Sequence, residues 1–128
     1  MDDNELREMD AKVHMALYPE WRIEKREWRH GIDYRAILPG DGPNTWLKDI
    51  PLPWYTTDLA DWEPVYALKQ GWTWDHIEYG DGSYSCLLHP SVSAMFIKQG
   101  VLATEATGLA AYALGRARCV IAWAEEKR

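Results

Sequence analysis

The sequence predicts an α+β fold, in which an antiparallel sheet of about four to five strands packs with helices. Apolar residues recur at helical spacing near both ends of the chain, and they alternate with polar residues between those ends. An Asp-Gly turn also separates two alternating runs, which is typical of a β-hairpin. With 128 residues, 47% hydrophobic and 27% charged, the chain fits a single domain over residues 1–128.

The first predicted element is a helix over about residues 4–17. Its apolar positions, which follow one helical stripe, are Leu6, Met9, Val13 and Leu17. Acidic residues precede it and Pro19 ends it. From Trp21 to Leu38 the apolar pattern changes to period two, so we expect two strands that turn near His30-Gly31.

The stretch at about 39–57 contains four of the seven prolines and two glycines, and it predicts one long loop. After it, Asp58 or Asp61 begins a helix that ends near Gly71. Pro64 leaves two alternatives. If the helix starts near Asp61, the proline lies in the first turn and loses no hydrogen bond, whereas a start at Asp58 predicts a kink.

Strands at Trp72–Tyr79 and Ser83–His89 flank Gly80-Asp81-Gly82 and form the predicted hairpin. A short strand over Ala94–Ile97 follows. A long helix over about residues 105–124 then closes the fold. Its small residues, which allow a close approach to a sheet or another helix, are Gly108, Ala111 and Gly115.

The hairpin carries the best candidate site. A two-residue turn pairs Tyr79 with Tyr84 and places every second residue on one face. Ile77, Tyr79, Tyr84, Cys86 and Leu88 form the predicted core face. The opposite face collects Trp72, Trp74, His76, Glu78, Ser85, Leu87 and His89. Trp46 and Trp54 of the long loop form either a lid beside this face or a plug over the core.

Two interpretations of that face are open. Indole rings beside imidazoles and a carboxylate suit a flat ligand with a polar edge; alternatively, a helix covers the face and the rings pack inside. His76, Glu78 and His89 also allow a small hydrolase that uses an acid–base pair or a metal. Because no motif of a known catalytic site is present, catalysis is the weaker hypothesis, and we expect no cofactor and no metal.

The composition excludes several partners. The net charge is −6 and acidic residues interrupt the most basic stretch, which argues against binding long nucleic acid. The apolar stretch Leu109–Trp123 contains Arg116 and Arg118 and is too short for a bilayer, so we expect no membrane association. Cys86 and Cys119 lack the spacing of a metal or redox site and predict two small core residues.

Three patches resemble the phage ABA sandwich domain family of small phage and prophage proteins. They are Leu6–Leu17 (LREMDAKVHMAL), Trp54–Leu68 (WYTTDLADWEPVYAL) and Thr104–Leu114 (TEATGLAAYAL). The resemblance implies an α-β-α sandwich, with the antiparallel sheet between helices, and no established enzymatic activity. It supplies no site residues.

Together these features predict a non-enzymatic phage accessory protein in the host cytoplasm that acts by binding. It would sequester a nucleotide-like host signal as an anti-defence protein, or capture a host protein. A homo-oligomer, in which a second subunit completes the pocket, also fits this hypothesis. The hydrolase that uses the 72–89 hairpin face is the alternative.

Overall fold

The computed structural model describes residues 1–43 and 45–127, which form an α+β fold, as predicted. Six strands in this part of the chain make two separate antiparallel sheets of three strands each. The predicted single sheet of four to five strands is therefore wrong, and the α-β-α layering is not confirmed. Asn44, in the predicted loop, lies outside the described residues. Over the described ranges, no helix is both long and apolar enough to cross a membrane.

The first helix and the two strands after it lie where the sequence predicts them. In chain order the elements are α1 (Asp3–Leu17), β1 (Arg22–Trp28), β2 (Gly31–Pro39), β3 (Trp46–Pro51), a 3-10 helix (Leu59–Trp62), α2 (Glu63–Leu68), β4 (Thr73–Glu78), β5 (Tyr84–His89), β6 (Ile97–Val101) and α3 (Gly108–Glu126). Sheet A has the order β1-β2-β3, and sheet B has the order β4-β5-β6.

Strand β3 lies within the stretch that the sequence predicts as one long loop. It pairs antiparallel with β2, with Ala36 opposite Ile50. β3 is an edge strand, and its Pro51 is the last residue of the pairing, so the missing N–H interrupts no ladder. The prolines thus mark the ends of this strand, and the prediction of one loop over residues 39–57 is wrong.

Helix α1 covers one face of sheet A. Ala11 packs with Tyr34, Ala36 and Leu52 in a buried cluster. At the edge of this cluster, Arg7 is 7% exposed and donates hydrogen bonds to Asp10 and to the carbonyl oxygen of Leu52. The chain that follows β3 is thereby held against α1.

The second helical segment begins as a 3-10 helix and continues as α2. Pro64 lies in the first turn of α2, where its missing N–H has no partner to lose. This confirms the alternative in which the proline breaks no hydrogen bond. Asp58 caps the segment by accepting a hydrogen bond from the Ala60 N–H at 3.0 Å.

Two boundaries in sheet B and α3 differ from the prediction. The Ala94 N–H donates to Ser91, which closes a turn, and β6 begins at Ile97 and runs through Gly100. Helix α3 begins at Gly108, three residues after the predicted start. Glu105 does not start it, because its carboxylate accepts hydrogen bonds from the Leu102 N–H and from Arg118.

Gly115 allows α3 to lie directly on sheet B, as predicted, whereas Gly108 is exposed and makes no such close approach. A Cβ atom at Gly115 would lie only 2.7 Å from the Cβ atom of Cys86 in β5. Cys86 and Cys119 are both buried, and the Cys119 thiol donates to the carbonyl oxygen of Cys86 at 3.3 Å. Both cysteines are therefore small core residues, as predicted.

His14 in α1 gives the fold a pH dependence with a defined sign. Burial lowers its pKa to about 4, and its Nδ1 lies 2.8 Å from the Tyr55 hydroxyl. The unfolded chain, with an ordinary histidine pKa near 6.5, binds the proton more readily, so stability falls as the pH drops below about 6.5. Relative to the His14→Gln variant, wild type should lose about 2 kcal/mol between pH 7.5 and pH 5.

Urea unfolding of both proteins at several pH values measures this difference. Burial also raises the pKa of Asp10, which acts in the opposite direction, but Asp10 is present in both proteins and cancels in the comparison. Parallel pH profiles for wild type and His14→Gln would contradict the assignment to His14.

Candidate functional site

The hairpin β4–β5 forms, but its register differs by one residue from the predicted one. Thr73 lies opposite His89 and Glu78 lies opposite Tyr84. The Tyr79 N–H donates to the Ser83 carbonyl oxygen at 2.9 Å, so the turn holds three residues, with Gly82 at a φ of +84°. This longer turn with a left-handed glycine replaces the predicted two-residue turn.

A shift of one residue exchanges the faces of one strand relative to the other. Trp74 and His76 lie opposite Leu88 and Cys86, so they face helix α3 together with the core. His89 lies on the other, outer face. Ile77 and Tyr79, predicted as core residues, are 39% and 40% exposed. The predicted division of the hairpin into two faces is therefore wrong.

The tryptophans on the inner face form part of a row of rings in edge-to-face contact. The ring centroids of Trp62 and Trp74 lie 5.6 Å apart, those of Trp74 and Trp72 lie 5.9 Å apart, and those of Trp72 and Trp123 lie 4.9 Å apart. Trp62 and Trp72 are buried, at 2% and 8% exposure. Trp62 and Trp72 are therefore packing residues, whereas Trp74 and Trp123 are half-buried.

At the Trp62–Trp74 end of the row, Arg116 of α3 lies half-buried between a ring and an imidazole. Its Nε donates to Nε2 of His76 at 3.3 Å, and its Cζ lies 5.1 Å from the centroid of the Trp74 ring. Within the described ranges, no carboxylate pairs with Arg116 and no acceptor meets its two terminal nitrogens. A half-buried guanidinium without an acidic partner is unusual, because burying a charge costs free energy.

The electrostatics keep His76 in the form that this contact needs. Burial lowers the pKa of His76, and the neighbouring Arg116 lowers it further. A neutral imidazole that accepts at Nε2 carries its proton on Nδ1. Burial also lowers the pKa of Arg116, although a guanidinium stays charged at neutral pH. The pair therefore carries a single positive charge, on Arg116.

Arg116 opens into a shallow groove of about 450 Å³ between the 3-10 helix, α2 and α3, which we call the Arg116 groove. Its lining residues are Leu59, Ala60, Trp62, Glu63, Tyr66, Ala67 and Arg116. Tyr66 is 77% exposed, so its ring is free for stacking. The groove thus combines a cation, an accessible ring and the carboxylate of Glu63, which suits a small flat anion.

The other predicted site residues lie elsewhere. On the outer face of sheet B, Nε2 of His89 lies 3.0 Å from an oxygen of Asp75. Glu78 lies opposite Tyr84 on the inner face and is exposed at the end of β4. Trp54 stacks on the guanidinium of Arg7, 3.8 Å from ring to Cζ, and Trp46 is 56% exposed on β3. The structure brings together Trp72, Trp74 and His76, but not His89, Glu78, Trp54 or Trp46.

Because His76 and His89 lie on opposite faces, the histidine and glutamate residues of the hydrolase hypothesis do not form one cluster. Among the residues that the structure describes, no group of three or more His, Cys, Asp and Glu side chains could hold a metal ion.

Arg116 and Tyr66 line the Arg116 groove but are not among the site residues that the sequence predicts. One signal was present: Arg116 interrupts the apolar stretch Leu109–Trp123 next to the small residue Gly115. Because Gly115 and Ala117 are small residues of the kind that pack on a sheet, the cation between them is expected to lie near that sheet. Tyr66 has no such signal, because its exposure depends on where α2 rests.

No protein-family model matches the chain, and neither does any curated protein or solved structure in the comparisons. The relationship to the phage ABA sandwich family therefore stays a prediction from three sequence patches.

Proposed function

We propose that the protein is a non-catalytic binding protein that holds a small, flat, anionic ligand of the nucleotide type in the Arg116 groove. The half-buried guanidinium of Arg116 carries this proposal, because it has no acidic partner among residues 1–43 and 45–127. A ligand anion would supply the missing partner and offset the free-energy cost of burying the charge.

The geometry supports an oxyanion as the recognised group. His76 accepts the hydrogen bond from Nε of Arg116. The two terminal nitrogens therefore remain available as a pair of donors in the groove. A guanidinium fork binds a carboxylate or a phosphate with two parallel hydrogen bonds. The Trp74 ring lies within cation–π distance, 5.1 Å from its centroid to Cζ of Arg116, and helps to hold the guanidinium in place.

The remaining groove residues support an aromatic ring attached to that anion. Tyr66 offers an exposed ring on α2, and stacking of a base on such a ring contributes about 1–3 kcal/mol. Glu63, in the first turn of α2, is exposed and can accept hydrogen bonds from the amino groups of a base. A nucleotide combines both features in one molecule.

The biological setting belongs to the same proposal and rests on the sequence resemblance alone. In a phage or prophage protein acting in the host cytoplasm, such a groove would sequester a nucleotide-like host signal and act against a host defence. Binding without turnover agrees with the placement of His76, which is held by Arg116.

Replacing Arg116 with methionine tests the proposal. The protein is screened against mono-, di- and cyclic nucleotides by thermal shift and tryptophan fluorescence, with nucleosides as uncharged controls. We expect at least one nucleotide to stabilise wild type and its nucleoside not to. The Arg116→Met variant should bind about 10- to 100-fold more weakly, because hydrogen bonds to a charged group are lost.

Its stability should change by less than about 1 kcal/mol, since the variant removes a half-buried charge without orphaning an acidic partner. The matched control is Arg29→Met, an exposed arginine in the turn between β1 and β2. No response to any nucleotide, or equal loss of binding in both variants, would refute the proposal.

A further inference from the structure

A second groove, of about 510 Å³, lies at the opposite end of the row of rings from Arg116. Trp72, Trp123, Met95 and Ile97 form its apolar walls, and Lys69 and Lys127 are also part of its lining. We call it the Trp123 groove. None of these residues belongs to the Arg116 groove.

Two lysines lie over the same indole. Nζ of Lys127 is 4.0 Å and Nζ of Lys69 is 5.1 Å from the centroid of the Trp123 ring. Neither ammonium group makes a salt bridge with the part of the chain that the structure describes. In a protein with a net charge of −6, they form a local positive site beside an apolar wall.

An apolar loop adjoins these cations. The seven residues 90–96 connect β5 to β6, and three of their side chains are large, apolar and exposed. Val92 is 110% exposed, Met95 is 88% exposed and Phe96 is 53% exposed. Met95 lines the Trp123 groove, whereas Val92 lines a neighbouring cavity and the Phe96 ring lies 5.8 Å from the His89 ring. The groove therefore gains one exposed methionine from this loop, a flexible apolar side chain that is typical of interaction surfaces.

We infer that the Trp123 groove docks an acidic segment of a partner protein that carries one bulky apolar side chain. The apolar side chain would enter between Trp72 and Met95, where aromatic and methionine walls accept varied shapes. Carboxylates on either side of it would pair with Lys69 and Lys127. Glu126 also lines the groove and would repel a carboxylate. The carboxylates of the bound peptide must therefore lie next to the two lysines.

The charge distribution favours a peptide over a membrane surface. The lysines lie beside a concave wall, which suits an inserted side chain. A flat anionic bilayer would instead lie against a larger part of the surface, and the net charge of −6 would repel it. Capture of a partner protein is thus a binding activity distinct from that of the Arg116 groove.

The test is selection of a random 12-residue peptide library on the immobilised full chain, followed by affinity measurement on the enriched peptides. We expect enriched peptides to share one bulky apolar residue flanked by at least two Asp or Glu. The double variant Lys69→Glu with Lys127→Glu should weaken binding at least about tenfold. Met95→Ser should weaken it too, without changing the charge.

The matched control is Lys12→Glu with Lys48→Glu, which makes the same change in net charge at two exposed lysines elsewhere and should leave peptide binding intact. If the first double variant does not fold, Lys69→Gln with Lys127→Gln replaces it. The inference is overturned by three results: no enrichment, enriched peptides without acidic residues, or equal weakening in test and control variants.

Vesicles of neutral lipid and of 30% anionic lipid form a separate arm of the test. Binding to anionic vesicles that depends on Lys69 and Lys127, without peptide enrichment, would assign the groove to a membrane and overturn the inference. The Arg116→Met variant should bind the peptides like wild type, so failure here is separate from failure of the nucleotide proposal.

Discussion

Replacing Arg7 with methionine is expected to lower the free energy of unfolding by about 3–5 kcal/mol. Arg7 is 7% exposed and its guanidinium joins α1 to the chain after β3. It donates to Asp10 at 2.7 Å, to the Leu52 carbonyl oxygen at 2.7 Å and to the Pro53 carbonyl oxygen at 3.1 Å. Methionine fills part of the volume but satisfies none of these acceptors.

The size of the effect comes mainly from Asp10, which is fully buried. Without Arg7 its carboxylate keeps only the hydrogen bond from the Thr56 N–H, at 2.8 Å. Burial already raises the pKa of Asp10, and the hydrogen bond and charge of Arg7 lower it. In the variant, the buried carboxylate has no cation beside it. It either stays charged and destabilises the fold through its desolvation, or takes up a proton.

Urea unfolding monitored by circular dichroism measures this loss. The double variant Arg7→Met with Asp10→Leu should recover part of the stability, because it removes the orphaned carboxylate. Arg22→Met is the control: it breaks an exposed ion pair with Glu24 and should change stability by less than about 1 kcal/mol. A similar small effect for Arg7→Met would contradict a structural role for the buried pair.

The parts of the fold that the sequence predicts are those with strong local signals. The 3-4-4 spacing defines α1, and the alternating runs on each side of residues 29–30 define β1 and β2. Strand β3 could not be predicted in this way, because its pairing with β2 is tertiary and its prolines favour a loop. The division of six strands between two sheets likewise depends on long-range packing.

The hairpin part of the candidate site was predicted in part, and the error in its register has a single local cause. Trp74 and His76 do lie at the site, but a turn one residue longer than expected places His89 on the other face. Both two- and three-residue turns suit Gly80-Asp81-Gly82, because either glycine can adopt a positive φ. Sequence alone therefore leaves the register, and hence the partners of His76, undecided.

Exposure of single aromatic residues was harder to predict than the position of the elements that carry them. Tyr66 and Trp62 both belong to the second helical segment, yet they are 77% and 2% exposed. The short length of α2 and its 3-10 start change the rotation between these positions relative to a regular helix. That rotation leaves the Tyr66 ring exposed and places Trp62 in the core.

Replacing Trp62 with alanine is the second change with a large expected effect, a loss of about 3–5 kcal/mol. Trp62 is 2% exposed, its ring contacts those of Tyr55 and Trp74, and its Nε1 donates to the Tyr55 carbonyl oxygen at 2.8 Å. Alanine would leave a cavity between the segment after β3 and sheet B. Unfolding in urea, followed by circular dichroism, measures the loss.

Two further variants separate the contributions of volume and of the hydrogen bond. Trp62→Phe keeps much of the ring but orphans the Tyr55 carbonyl oxygen, so it should cost about 1–3 kcal/mol. Trp46→Ala removes an indole that is 56% exposed and should cost less than about 1 kcal/mol. Equal losses for Trp46→Ala and Trp62→Ala would contradict the described packing.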